Sequence, residues 1–168
     1  MDRKGFGPRL GAAILDFLIV LVCVGILALL FGTTIGALLG GTVAGPAGGV
    51  AGGLAGAYYL TPMLFPPLAF AYGLIEAFTG ASPGKRMIGI VIRTDSGQPA
   101  PLATLLLRYL LKNAGSALAF LALLTHLNTL NSLSTLASAA ITLGFLLTLG
   151  ESRQALHDRI VGTAVYGS

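Results

Sequence analysis

Arg9 and Asp16 stand seven residues apart at the start of an otherwise apolar run, Arg9 to Phe31. At about 100° per residue, that spacing puts both side chains on one helix face, about 10 Å apart along the axis. Arginine can then lie among headgroups while the aspartate sinks into the apolar layer, where an ionised side chain costs about 2.5–3.5 kcal/mol. Asp16 therefore needs an opposite charge, a proton or a hydroxyl, and is expected to face the interior of a helix bundle. Arg108 and Lys112 are one turn apart and share a face with Gly115, Ser116 and Ala119. Small residues there let another helix approach, so a contact from Asp16 to Arg108 or Lys112 is expected. In the alternative, Arg108 and Lys112 reach to the inner headgroups and Asp16 is protonated or bonded to hydroxyls. Glu76, near the inner end of another apolar run, reads as an interfacial anchor in preference to a proton carrier. Together Asp16, Arg9, Arg108, Lys112 and Glu76 are the candidates for an intramembrane charge network or an ion or proton relay.

A second polar pattern runs through Asn131, Thr135, Ser138 and Thr142, at steps of four, three and four. Hydroxyls bond readily to their own helix backbone, so this stripe reads as a packing face turned inward, with a solute path as the other reading.

Several familiar chemistries do not fit. Gly80-Ala-Ser-Pro-Gly84-Lys85-Arg86 resembles a phosphate loop but has three residues between its glycines, not four, and Arg follows the Lys. The glycines of Gly48 to Gly56 lack the dinucleotide-binding order and a preceding strand. His126 and His157 fall on opposite sides of the topology below and cannot share a metal. Cys23 is the single cysteine, which excludes an intramolecular disulfide. With no set of nucleophile, base and orienting group, neither an enzyme nor a cofactor is expected.

The elements that position these residues follow from composition. Of 168 residues, 55% are hydrophobic and 10% charged, and mean hydropathy is +0.86, which marks an integral membrane protein. No small-x-small cleavage site follows Phe31, so the first segment is expected to be retained. The ten Lys and Arg fall in three clusters: Arg3, Lys4 and Arg9; Lys85 to Lys112; Arg153 and Arg159. Phe17 to Ile75 and Asn113 to Gly150 carry no charge. By the positive-inside rule all three clusters are cytoplasmic, and an even number of crossings separates each from the next. The net charge of +4 then serves topology and attraction to anionic headgroups, with no nucleic-acid partner.

The expected fold is an all-α membrane protein, a four-span helical bundle with spans at about 10–31, 57–78, 102–124 and 133–150. Gly32 to Gly56 reads as a non-spanning excursion after the first span, either a flexible outer connection or a close-packing helix or re-entrant segment using small-xxx-small contacts. Pro62, Pro66 and Pro67 predict a kinked second span. Residues 79–101 form a cytoplasmic loop with a Ser-Pro-Gly turn, a strand through Ile88, Ile90 and Ile92, and a turn at Asp95-Ser96-Gly97. The tail, 151–168, has a short helix stopped by Gly162 and a strand, Thr163 to Tyr166, that can pair with the Ile88 strand. Both termini are cytoplasmic, in the cell (inner or plasma) membrane.

Arg9 with Asp16, "SPGKRMIGIVIRTDSGQP", Arg108 and "LHDRIVGTAVY" together resemble the RDD family of small prokaryotic integral membrane proteins, named for an arginine and two aspartates. The resemblance covers both ends and the central loop and makes the family's residues Arg9, Asp16 and Asp158, with matching elements at Pro83-Gly84-Lys85 and Gly162-Thr163. It implies a multi-pass protein, with ion or proton-coupled transport suggested for some members. Arg9 and Asp158 both fall at the inner surface, where the tail could clip against the helix start. Asp158, His157 and Lys85 then belong to a cytoplasmic cap. Two functions follow: transport of a proton or small cation through Asp16, or a structural or accessory subunit whose charges fix helix packing. Four short helices enclose little space, so a homo-oligomer in the lipid bilayer is expected, joined through the glycine-rich faces.

Overall fold

The computed structural model describes residues 2–168. Helix α1 (Phe6–Leu27) passes through a π-helical turn, Ala28–Gly32, into α2 (Thr33–Thr79). Then come α3 (Pro83–Ile88), β1 (Ile90–Thr94), α4 (Leu102–Lys112), α5 (Ala114–Thr125), α6 (Asn128–Phe145) with a 3-10 turn Leu146–Leu149, α7 (Leu156–Val161) and β2 (Thr163–Gly167). Two helical stretches are long and apolar enough to cross a membrane, Phe6–Thr79 and Asn128–Leu149, or three if α4 and α5, bent by 64°, act as one. The chain forms two compact units, Leu15–Tyr72 and the remainder.

Within Leu15–Tyr72 the glycine-rich segment is helical, as in the close-packing reading, and not a loose connection. The first helix does not stop at Phe31. It runs on to a break at Ala44 and Gly45, the two residues of α2 with non-helical dihedrals. Gly45 has φ +64°, a conformation open to glycine, and Pro46 begins the returning limb, where its missing N–H is no loss. Gly32, Gly36 and Gly40 on one limb meet Gly56, Gly52 and Gly48 on the other: a Cβ on Gly36 would run into the Gly52 carbonyl, and one on Gly40 into that of Gly48. Four-residue spacing places each set on a single stripe, so the two backbones touch along their length. Glycine is a weak helix former in water, but in an apolar layer the backbone must satisfy its own hydrogen bonds and the stripe supplies the packing. These two stripes therefore pack against each other within one chain. The returning limb continues through Pro62, Pro66 and Pro67, and the reversal falls at Ala44–Gly45, not at the prolines.

In the other unit, β1 and β2 pair antiparallel, Ile90 opposite Gly167 and Thr94 opposite Thr163, as expected for the central loop and tail. The strand starts at Ile90, not Ile88. Ser82 caps the short helix α3 by accepting from the Lys85 N–H at 3.3 Å, and Gly89, at φ +71°, ends it with a left-handed residue. The N-terminal segment adds a further edge: Arg3 bridges Tyr166 and the Lys4 N–H donates to the Val165 carbonyl at 2.8 Å. Ala12, Ile90, Ile92, Leu105 and Val165 close into one buried cluster, tying together the chain's start, the central loop, α4 and the tail. The expected third span breaks at Asn113, whose side-chain amide donates to the Tyr109 carbonyl at 2.9 Å, competing with the helix ladder. The last helix begins at Asn128, earlier than Leu133, after a left-handed His126.

Candidate functional site

Seven titratable residues from four helices and the tail converge in the unit that holds the sheet. At their centre is Asp158, 0% exposed, in the first turn of α7. One oxygen accepts from Arg9 Nη1 on α1 and the other from Arg108 Nε on α4, the latter at 2.7 Å. The Ala155 N–H donates to the same carboxylate at 3.3 Å, which fixes the start of α7. Arg108 is shared: its Nη1 donates to Glu76 Oε1 near the end of α2, and its Nη2 lies 3.2 Å from His157 Nε2. Glu76 in turn holds Lys85 Nζ at 2.7 Å and Lys112 Nζ at 3.5 Å through Oε2. The result is a chain of charges, Arg9–Asp158–Arg108–Glu76–Lys85, with Lys112 at its edge.

Arg9 and Arg108 are each 4% exposed, whereas the Lys112 side chain is 44% exposed. Arg9 also donates Nε to the Lys4 carbonyl at 3.0 Å and Nη2 to the Arg153 carbonyl at 2.8 Å. Each of the three guanidinium nitrogens thereby has an acceptor, two of them in the tail, remote in sequence. Since guanidinium only donates, His157 Nε2 accepts, and the ring is neutral with its proton on Nδ1. That Nδ1 is buried with no hydrogen-bond partner among the described residues.

The electrostatics follow from this packing. Burial pushes the Asp158 carboxyl upward, but Arg108 and Arg9 outweigh it and hold it well below the usual carboxylate range. Burial, with Arg108 beside it, lowers His157 from 6.5 to about 3. Burial likewise lowers Lys85 from 10.5 to about 7, against the pull of Glu76. Between pH 6.5 and about 3 the unfolded chain thus carries a proton on His157 that the folded chain lacks, so stability falls as pH drops through that window. Asp158 acts in the same direction lower down, its contribution being present above 3.8 and lost as pH falls towards its folded value. The thermal midpoint in detergent is expected to fall as pH is lowered from 6.5 to 4, and His157→Gln to flatten that slope. A midpoint that rises over the same interval contradicts the neutral buried ring.

The residues singled out in the sequence separate into three groups. Arg9, Asp158, Arg108, Glu76, Lys85, Lys112 and His157 meet in this one network. The Asp16 carboxylate accepts from the Tyr72 hydroxyl at 2.7 Å, the hydroxyl contact of the alternative reading, with both residues in the Leu15–Tyr72 unit; in the other unit Arg108 bonds to Asp158 and Glu76. Tyr72 sits towards the C-terminal end of its apolar run, so a phenol supplies the polar contact without desolvating a second charge. Glu76 is the hub of the lysines, not an interfacial anchor. The α6 stripe residues are exposed, with Ser138 lying against Gly115 of α5; Thr135 and Thr142 donate to the Asn131 and Ser138 carbonyls at 3.0 and 2.8 Å, so their hydroxyls are satisfied within the helix. Gly115, expected to receive the Asp16 helix, instead receives α6: Ser134 donates to its carbonyl at 2.8 Å, and a Cβ there would overlap Ser138.

The RDD family model matches residues 3–162. The chain belongs to the RDD family. Neither a curated protein nor a solved structure matches it. Of the three residues that the resemblance points to, Arg9 and Asp158 form a direct ion pair, while Asp16 accepts from Tyr72. The partner that joins Asp158 to the rest of this RDD site is Arg108. Glu76, already among the sequence candidates, is the only acid between Asp16 and Asp95, a signal that could have paired it with the lysines of α3 and α4.

Proposed function

We propose that this RDD protein is a multi-pass subunit of the plasma membrane with a structural or accessory role, in which the buried charge chain locks a cytoplasmic cap onto the inner ends of the spanning helices. The observation that carries this reading is closure: both buried carboxylates, Glu76 and Asp158, are each gripped by at least two cations, and Arg108 joins the two sets. A relay needs a charge that can let go, whereas these groups hold one another. The topology is argued from the sheet. Arg3 meets Tyr166 and Asp95, so the start, the central loop and the tail build one cap, which requires an even number of crossings between them. With the hairpin counted as two, the α4–α5 pair as one and α6 as one, the chain has four spans and both termini in the cytoplasm.

Transport of a proton or small cation is the second reading, and the Asp16–Tyr72 pair favours it, being a carboxylate in an apolar helix that accepts from a neutral hydroxyl. Vesicles holding the purified protein and an imposed pH gradient separate the two. The structural role expects wild type and Asp16→Asn to dissipate the gradient equally with sodium or potassium present; faster, Asp16-dependent dissipation establishes transport instead. Single cysteines at Val43, Arg86, Asn128 and Arg159, with Cys23 replaced by Ser, test the topology: only those at Val43 and Asn128 are expected to react with an impermeant reagent from outside.

A further inference from the structure

The start of α1 and the end of the last apolar helix meet at a cavity of about 500 Å³ whose walls include Arg3, Lys4, Phe6, Thr148, Leu149 and Arg153. No acidic side chain lines it. Arg3 is committed elsewhere, to the Tyr166 hydroxyl, the Ser152 carbonyl and Asp95. Arg153 and Lys4 supply the remaining positive charge, Lys4 from a wall position with its Nζ resting beside Gly167, a long side chain free to swing to an anion. Their backbones are fixed: the Lys4 N–H and carbonyl bond to Val165 and Arg9, and Arg153, in the left-handed region at φ +50°, has its carbonyl held by Arg9. A non-glycine residue persists there only when its surroundings enforce it. Arg153 also donates Nη1 to the Arg3 carbonyl at 2.8 Å, which sets its side chain along the cavity wall. The first turn of α1 adds the positive end of a helix dipole.

The setting of the cavity selects its ligand. It lies where two stretches apolar enough to cross a membrane end together; Leu149 in its wall and Leu146, three residues earlier on the same 3-10 turn, are 68% and 49% exposed. A cationic recess with exposed leucines on its apolar side complements a phosphate joined to acyl chains, and a free anion leaves the leucines unused. We propose that this cavity seats the phosphate headgroup of an anionic phospholipid, with Lys4 and Arg153 as its cations and Leu146 and Leu149 against its chains.

The test is native mass spectrometry of the full chain, titrated in neutral detergent with phosphatidylglycerol, with phosphatidylcholine or with inorganic phosphate. Phosphatidylglycerol is expected to bind more tightly than phosphatidylcholine and to resist displacement by phosphate. Lys4→Gln with Arg153→Gln is expected to weaken it about thirtyfold, the effect of two charges near an anionic headgroup. Lys4→Arg with Arg153→Lys keeps the charges and is expected to retain binding. Arg86→Gln removes an exposed charge elsewhere and is expected to leave it unchanged. The proposal is overturned if Arg86→Gln weakens binding as much as the double variant, if the charge-keeping pair is as weak as the neutral pair, or if phosphate competes on equal terms.

Discussion

Asp158→Asn is expected to destabilise the folded chain by about 3–5 kcal/mol, the range for removing one side of a buried ion pair. The amide keeps the shape of the carboxylate and can still accept one hydrogen bond, but it leaves Arg9 and Arg108 buried with no charge on Asp158's side. Glu76 cannot compensate, because its two oxygens already serve Arg108, Lys85 and Lys112. Part of the loss is local, since the same carboxylate accepts from the Ala155 N–H and starts α7. Arg3–Asp95 provides the contrast: that pair is 3.5 Å long and half-exposed, so Asp95→Asn is expected to change stability by no more than about 1 kcal/mol. Thermal unfolding in detergent, followed by circular dichroism, measures both. Equal midpoints for the two variants would show that burial of the Asp158 network contributes nothing.

The second large effect belongs to the glycine hairpin. Gly52→Ile is expected to separate its limbs, because a Cβ at Gly52 would run into the Gly36 carbonyl, an obstruction that is backbone and cannot rotate away. Overpacking of a side-chain core costs about 1–3 kcal/mol; here two backbones must part and the contacts at Gly32–Gly56 and Gly40–Gly48 go with them. Cysteines at Gly41 and Gly49 report the separation. A Cβ at Gly49 lies 3.7 Å from the Gly41 Cα, so the pair should oxidise readily in a Cys23→Ser background and fail to do so once Gly52→Ile is added. Gly25→Ala is the control: nothing lies within 4 Å of its Cβ, and the hairpin should tolerate or gain from a better helix former.

Much of this arrangement can be read from residue order, and where reading fails the reason is physical. Charge-free runs announce apolar helices because ionised side chains are costly in lipid. The β1–β2 pairing was legible from two short alternating segments bounded by turns, and the end of α7 from Gly162. The Arg9–Asp158 meeting was legible from both groups falling at the inner surface. The hairpin was not, although its glycines stand four apart on each limb, because the same residues spell flexibility in water and close packing in an apolar layer. The choice made by Arg108 was also hidden. Local spacing offers it Asp16 at a comparable depth, but Asp158 and Glu76 arrive from the tail and from the end of α2, contacts that only the folded chain creates. Asp16 then takes the hydroxyl that was weighed as its alternative partner.

A double-mutant cycle on Arg9→Gln and Asp158→Asn tests most directly whether the charge chain binds the start of the protein to its tail. If the pair acts as one buried unit, the double variant is expected to be more stable than the sum of the two single losses predicts, with a coupling above about 1.5 kcal/mol. Losses that add to within about 0.5 kcal/mol would mean that the two side chains act independently, and the lock would have no basis.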